Sequence, residues 1–112
     1  MNKQERIEKS KTDVLEITEK VAGLILEFAK EDINLSLDMD FNKTNNELYV
    51  RCFMSDNKNN KCENLYSYLY KNNEEFLNAI ITKKNEYLKS RKMSKAQEIK
   101  KLEKRIKELH DE

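Results

Sequence analysis

The first regular feature along the chain is a helical one. Val14, Ile17, Val21, Leu24 and Phe28 follow one another at spacings of 3, 4, 3 and 4, the repeat of one helix face. Leu15, Ala22, Ile25, Leu26 and Ala29 widen that stripe into a broad core-facing side. Ser10 followed by Asp13 has the form of a capping box, so the spacing predicts a helix over residues 11–30, about 30 Å long, although Ile7 continues the apolar phase further back.

The period then changes from 3.6 to 2. Ile33, Leu35, Leu37, Met39 and Phe41 alternate without interruption with Asn34, Ser36, Asp38, Asp40 and Asn42. Lys43-Thr44-Asn45-Asn46 is a turn, with Asn suited to a positive φ. A second strand, residues 47–55, puts Leu48, Val50, Cys52 and Met54 on one face. Setting Phe41 against Leu48 brings Met39 to Val50 and Leu37 to Cys52. The same register brings Asp38 to Arg51 and Asp40 to Tyr49 on the opposite face. Agreement on both faces predicts an antiparallel hairpin.

Residues 55–61 are polar and read as a loop. Leu65-Tyr66-Ser67-Tyr68-Leu69-Tyr70 reads as a third strand because of its three tyrosines, and because an isolated hairpin is a poor sheet. The rival is a short helix with Leu65 and Leu69 four apart. Asn73 followed by Glu74 and Glu75 is a helix start, and Phe76, Leu77, Ile80, Ile81, Tyr87 and Leu88 form that helix's buried side. Past Met93 the apolar side thins. Ser94 and Gln97 have the look of a fresh capping box, and Ile99, Leu102, Ile106 and Leu109 then repeat at 3, 4, 3, a narrow stripe of coiled-coil character.

These elements predict an α+β fold: an N-terminal helix, an antiparallel β-hairpin or three-stranded meander, a long second helix and a charged C-terminal helical extension. Residues 1–92 form the α-β-β-(β)-α domain in this reading, and residues 93–112 the amphipathic extension. The element order resembles that of the double-stranded-RNA-binding domain. That family sets a lysine cluster at the start of its second helix, where this chain has Asn73-Glu74-Glu75, so its function is not carried over.

Composition adds three points. The 112 residues suit one domain. Charged residues make up 38% of them, as many as the hydrophobic ones, so some charge must sit on segments that project from the core. The net charge of +1 gives no global field for nucleic acid or an anionic membrane, yet residues 83–107 carry 11 basic side chains against Glu86, Glu98 and Glu103. An AT-rich genome is the plain explanation of so much Lys, and the thirteen Asn and absence of Pro point the same way; composition alone also gives the chain a mobile-genetic-element flavour.

The charged start, Met1-Asn2-Lys3-Gln4-Glu5-Arg6, is no signal peptide, and the apolar run 21–26 is too short for a membrane span. A cytoplasmic location is expected, with Cys52 and Cys62 as free thiols.

Catalytic chemistry finds little support. A single Gly excludes a phosphate-cradling loop or dinucleotide fingerprint, and a single His, His110, excludes a triad or a His-based zinc site. Asp38 and Asp40, two apart on a strand, share a face as a cation-binding pair would, but a solvated face with Asp38 paired to Arg51 explains them better. We expect no enzyme, no cofactor and no metal.

Two surfaces remain. Tyr49, Arg51, Phe53, Tyr66 and Tyr68 share the outer face of a meander, a composition suited to protein contact, unless the terminal helix folds back to cover them. The basic helix offers Lys84, Lys89, Arg91, Lys92 and Lys95 to phosphates. The expectation is a small non-enzymatic protein that modulates or inhibits a protein partner, as a phage- or plasmid-type inhibitor or adaptor does. The alternative is a nucleic-acid-binding accessory protein using the basic segment, and a homodimer through the C-terminal helix is a further possibility.

Overall fold

The computed structural model of the chain describes residues 2–110. Its order is α1 (Lys3–Ala29), β1 (Ile33–Asn42), β2 (Glu47–Asp56), β3 (Lys61–Tyr66), a 3₁₀ turn (Ser67–Leu69) and α2 (Asn73–His110). The strands form one antiparallel sheet in the order β1-β2-β3. The fold is α+β, as the alternation of periods predicts.

The hairpin has the predicted register, with Phe41 opposite Leu48 and Asp38 opposite Arg51. A slip of one residue would have driven Asp38 and Asp40 into the core. Asn46 (φ 55°), Asn60 (φ 53°) and Asp32 (φ 59°) take the left-handed conformation at the three tight connections, where short polar side chains tolerate it best.

Four expectations need correction. First, α1 begins at Lys3, not at residue 11. Asn2 caps it by accepting from the Glu5 N–H (2.8 Å), and Ser10 lies inside the helix. Its hydroxyl donates to the Ile7 carbonyl and accepts from the Leu48 N–H, both at 2.9 Å.

Second, the buried stripe of α1 is narrow. Val14, Ile17, Val21 and Phe28 are buried and Leu24 and Ile25 half-buried, but Leu15, Ala22, Leu26 and Ala29 are exposed. The sheet ends at β1, so the far flank of α1 has no strand to pack on.

Third, the third strand starts at Lys61, earlier than expected, and leaves the sheet after Tyr66. Only Leu65 and Tyr66 of the expected segment are β, and the next three residues turn as a 3₁₀ helix. β3 pairs with β2 only from Arg51 to Asp56. Beyond its end the Val50 N–H donates to Ser67 Oγ (3.0 Å) and the Leu48 N–H to Ser10 Oγ, so two serines replace the missing ladder partners.

Fourth, α2 is capped by Asn72 rather than Asn73. Asn72 Oδ1 accepts from the Glu75 N–H (2.9 Å), and the Glu75 carboxylate accepts from the N–H of Lys71, the residue before the cap (3.1 Å). The helix then runs through Ser94 without a break. A capping side chain acts only where the chain has already left the helix, and nothing at Ser94 makes it leave.

Both helices cover the same face of the sheet. The Asn73 side chain donates to the Asp13 carbonyl at one end, and Arg91 Nη1 to the Glu31 carbonyl at the other, so α1 and α2 run side by side in the same direction. Leu35, Val50, Cys52, Met54 and Leu65 from the strands meet Ile17, Val21, Phe28, Phe76, Ile80 and Tyr87 from the helices. Arg91 closes this layer. It holds Asp56 through Nη2–Oδ1 (2.6 Å) and Nε–Oδ1 (3.0 Å), and it also donates to the Glu31 and Asp32 carbonyls. Every residue of α2 from Lys92 to His110 is exposed. The molecule therefore measures 78 × 25 × 18 Å. No helix among the described residues is long and apolar enough to cross a membrane.

Candidate functional site: the outer face of the sheet

Because both helices occupy one face, the other is left open. Strand alternation delivers Ser36, Asp38 and Asp40 from β1, Tyr49, Arg51 and Phe53 from β2, and Asn64 and Tyr66 from β3 to this side. Tyr68 joins them by a different route. The 3₁₀ turn swings its ring edge-on against Tyr49, with centroids 5.0 Å apart and planes at 87°. Tyr66 sits 5.6 Å from Tyr68 and 6.5 Å from Tyr49, so the three rings form one contiguous cluster. Such tilted and edge-to-face contacts add to area burial and hold the rings in place.

The cluster is bordered by polar pairs. Tyr49 Oη donates to Asp40 Oδ2 (3.4 Å), and Arg51 is ion-paired with Asp38. Partial desolvation of its ring, and then the Asp40 carboxylate beside it, hold the Tyr49 phenol above its ordinary range, so it remains a neutral donor. Phe53 lies two residues beyond Arg51 on the same face, 38% exposed, and Tyr68 is 46% exposed. The helix does not fold back over these rings, since the last part of α2 points away from the sheet.

A polar groove of about 780 Å³ opens beside the cluster, between the N-terminal part of α1 and the 3₁₀ turn. Arg6, Lys9 and Lys71 line it together with Asp13, Glu16, Glu47 and Glu74. With both signs interleaved along the groove, its lining does not single out one kind of charged ligand. Among the described residues no group of three or more His, Cys, Asp or Glu side chains could hold a metal ion. Cys52 is buried, which pushes its thiol up to about 12, whereas Cys62 is exposed.

The basic set is divided. Lys89, Lys92 and Lys95 are exposed on α2. Lys84 is half-buried, with its ammonium 5.2 Å from the centre of the Phe28 ring. Arg91 is committed to Asp56. Neighbouring Lys83 is spanned by Glu63 (3.1 Å) and Glu86 (3.2 Å). Sequence reading missed the Arg91–Asp56 pair, because nothing local links two residues so distant in the chain. It also missed the role of Ser67 beside the tyrosines. No protein-family model, curated protein or solved structure matches the chain.

Proposed function

We propose that this chain is a small non-enzymatic protein of the cytoplasm that binds a protein partner through the outer face of its sheet, and modulates or inhibits that partner as a phage- or plasmid-type inhibitor or adaptor would. The observation that carries this reading is the uncovered cluster of Tyr49, Tyr66 and Tyr68 with Arg51 and Phe53 beside it. Tyrosine rings bring large apolar area with few rotatable bonds and keep a hydroxyl for orientation, which is why they anchor contact surfaces. Asp38 and Asp40 on the same face oppose the positive field that a single-stranded nucleic-acid platform needs. The basic helix is the weaker candidate, since Lys84 and Arg91 are already engaged within the fold.

The test is capture of partners from a nuclease-treated lysate of the source organism by the immobilised chain, by Phe53→Ala and by Tyr68→Ala. Each variant is melted in parallel. A partner that survives nuclease and binds either variant at a cost of about 2 kcal/mol, roughly thirtyfold in affinity, supports the reading. The melting temperature should change little, because both rings lie outside the core. Retention that disappears with nuclease and moderate salt would overturn it in favour of phosphate contact through Lys89, Lys92 and Lys95.

A further inference from the structure

The helix beyond Arg91 is exposed on all sides, yet it is not uniformly polar. Ile99 is 48% exposed, Leu102 57%, Ile106 55% and Leu109 67%, and they lie on one stripe. We propose that this stripe is covered by the same segment of a second copy of the chain, packed antiparallel in a single register.

The charges beside the stripe select the direction. With Ile99 and Ile106 at the a positions and Leu102 and Leu109 at d, Glu98 and Arg105 fall at g, and Glu103 and His110 at e. In a parallel pair, g of one helix faces e of the next heptad on the other. Glu98 would meet Glu103 of the second copy, and Arg105 would meet His110. In an antiparallel pair g faces g and e faces e. Glu98 then meets Arg105 of the second copy twice over, by symmetry, and Glu103 meets His110 twice. For Glu98 a like-charged neighbour becomes an opposite-charged one when the direction is reversed, and this pair carries the selection.

The register follows from the same residues. The alignment that joins Glu98 to Arg105 of the second copy also stacks Ile99 on Leu109 and Leu102 on Ile106. Every apolar side chain of the stripe then has an apolar partner, about a two-fold axis at the level of Lys104. Sliding one heptad towards the core would set Lys92 on Leu109 and Lys95 on Ile106. Sliding the other way would leave only Ile106 and Leu109 paired. Lys100, Lys101, Lys104 and Lys107 occupy b, c and f positions and stay in water in the selected register. His110 of the second copy reaches the level of Glu98, about 10 Å of helix beyond Arg91, and the two Arg91 positions lie about 40 Å apart along the axis. The dimer thus carries its two sheet domains at opposite ends. It does not rest on the proposed protein partner.

The seam is short, so the association is weak and belongs to high protein concentration. The test is analytical ultracentrifugation of the full chain across the micromolar range, with a circular-dichroism melt of each variant to show that the core is intact. The wild-type chain is expected to pass from monomer to dimer as concentration rises, and Leu102→Glu with Ile106→Glu to stay monomeric. Glu98→Lys should weaken dimerisation by about fivefold, because two attractive pairs turn repulsive, and adding Arg105→Glu should restore it. A parallel pair answers in the opposite sense: Glu98→Lys alone would tighten it. Tightening by Glu98→Lys, dimerisation that survives the double apolar-to-Glu change, or a wild-type chain that is monomeric throughout would each overturn the proposal.

Discussion

Two residues show how a single side chain bears on this fold. Gly23 is exposed on α1, and a Cβ built there meets no atom within 4 Å. Its backbone keeps a freedom in the unfolded chain that the helix does not use. Gly23→Ala should therefore raise stability by about 1 kcal/mol, read as a higher denaturation midpoint with an unchanged slope. Arg91 works in the other direction. It ties α2, the end of β2 and the turn after α1 to one another through Asp56, whose side chain is fully buried. Burial pushes the Asp56 carboxyl up, but the hydrogen bonds from Arg91 and from the Lys58 N–H outweigh it and leave the carboxyl below its ordinary range. A carboxyl depressed in the folded state contributes stability above its unfolded value and loses it as the pH falls through the folded one. Wild-type stability should thus fall below about pH 4. Asp56→Ala should remove this contribution and cost about 3 kcal/mol at neutral pH, because Arg91 keeps its charge without its partner. Chemical denaturation at several pH values measures both effects. Equal acid sensitivity in wild type and Asp56→Ala would show that other carboxyls carry the pH dependence.

At the scale of elements, the hairpin and α2 illustrate different degrees of legibility. The hairpin was readable because two independent patterns, apolar alternation and the Asp38–Arg51 pairing, demand one register. The third strand is present as predicted, but it spans Lys61–Tyr66 and not the tyrosine-rich residues 65–70, because aromatic content suits a pleated surface without fixing where pairing stops. Where β3 ends is decided by which side chain takes over the Val50 amide, and Ser67 carries no local mark of that task. In α2 the fresh capping pattern at Ser94 lies inside one continuous helix. A chain that stops after Met93 keeps Phe76, Ile80, Tyr87 and Arg91, and every described residue it loses is exposed. Its stability should differ from the full chain by less than about 0.5 kcal/mol. A chain that stops after Ser90 also loses Arg91 and should be far less stable. Thermal melts of the two compare these directly, and a large loss in the first would mean that 94–110 contacts the core.

For the whole molecule the dominant feature is its length. The Cα radius of gyration is 20.2 Å, whereas a compact chain of this size has about 13 Å. The difference comes from the part of α2 that leaves the core behind. This shape separates the two surfaces of interest, with the tyrosine face on the body and the apolar stripe on the projecting arm. It also accounts for a composition as charged as it is hydrophobic, since a helix surrounded by water needs polar residues on nearly every side.

The amino-acid sequence by itself determined whatever depends on periodicity. The 3.6-residue stripe of α1, the two-residue alternation of the hairpin with its register, and the separation of a narrow C-terminal stripe from the buried side of α2 are local patterns tied to backbone geometry. Only the tertiary structure decided the rest. That both helices cover one face, and so leave Tyr49, Tyr66 and Tyr68 open, depends on the side to which α1 and α2 return. That Leu15 and Leu26 stay in water depends on the sheet ending at β1. That Arg91 is bound within the fold while Lys89, Lys92 and Lys95 are not depends on Asp56 and the turn after α1 meeting α2 at that level. These are relations between residues far apart in the chain, and helix or strand periodicity constrains only neighbours.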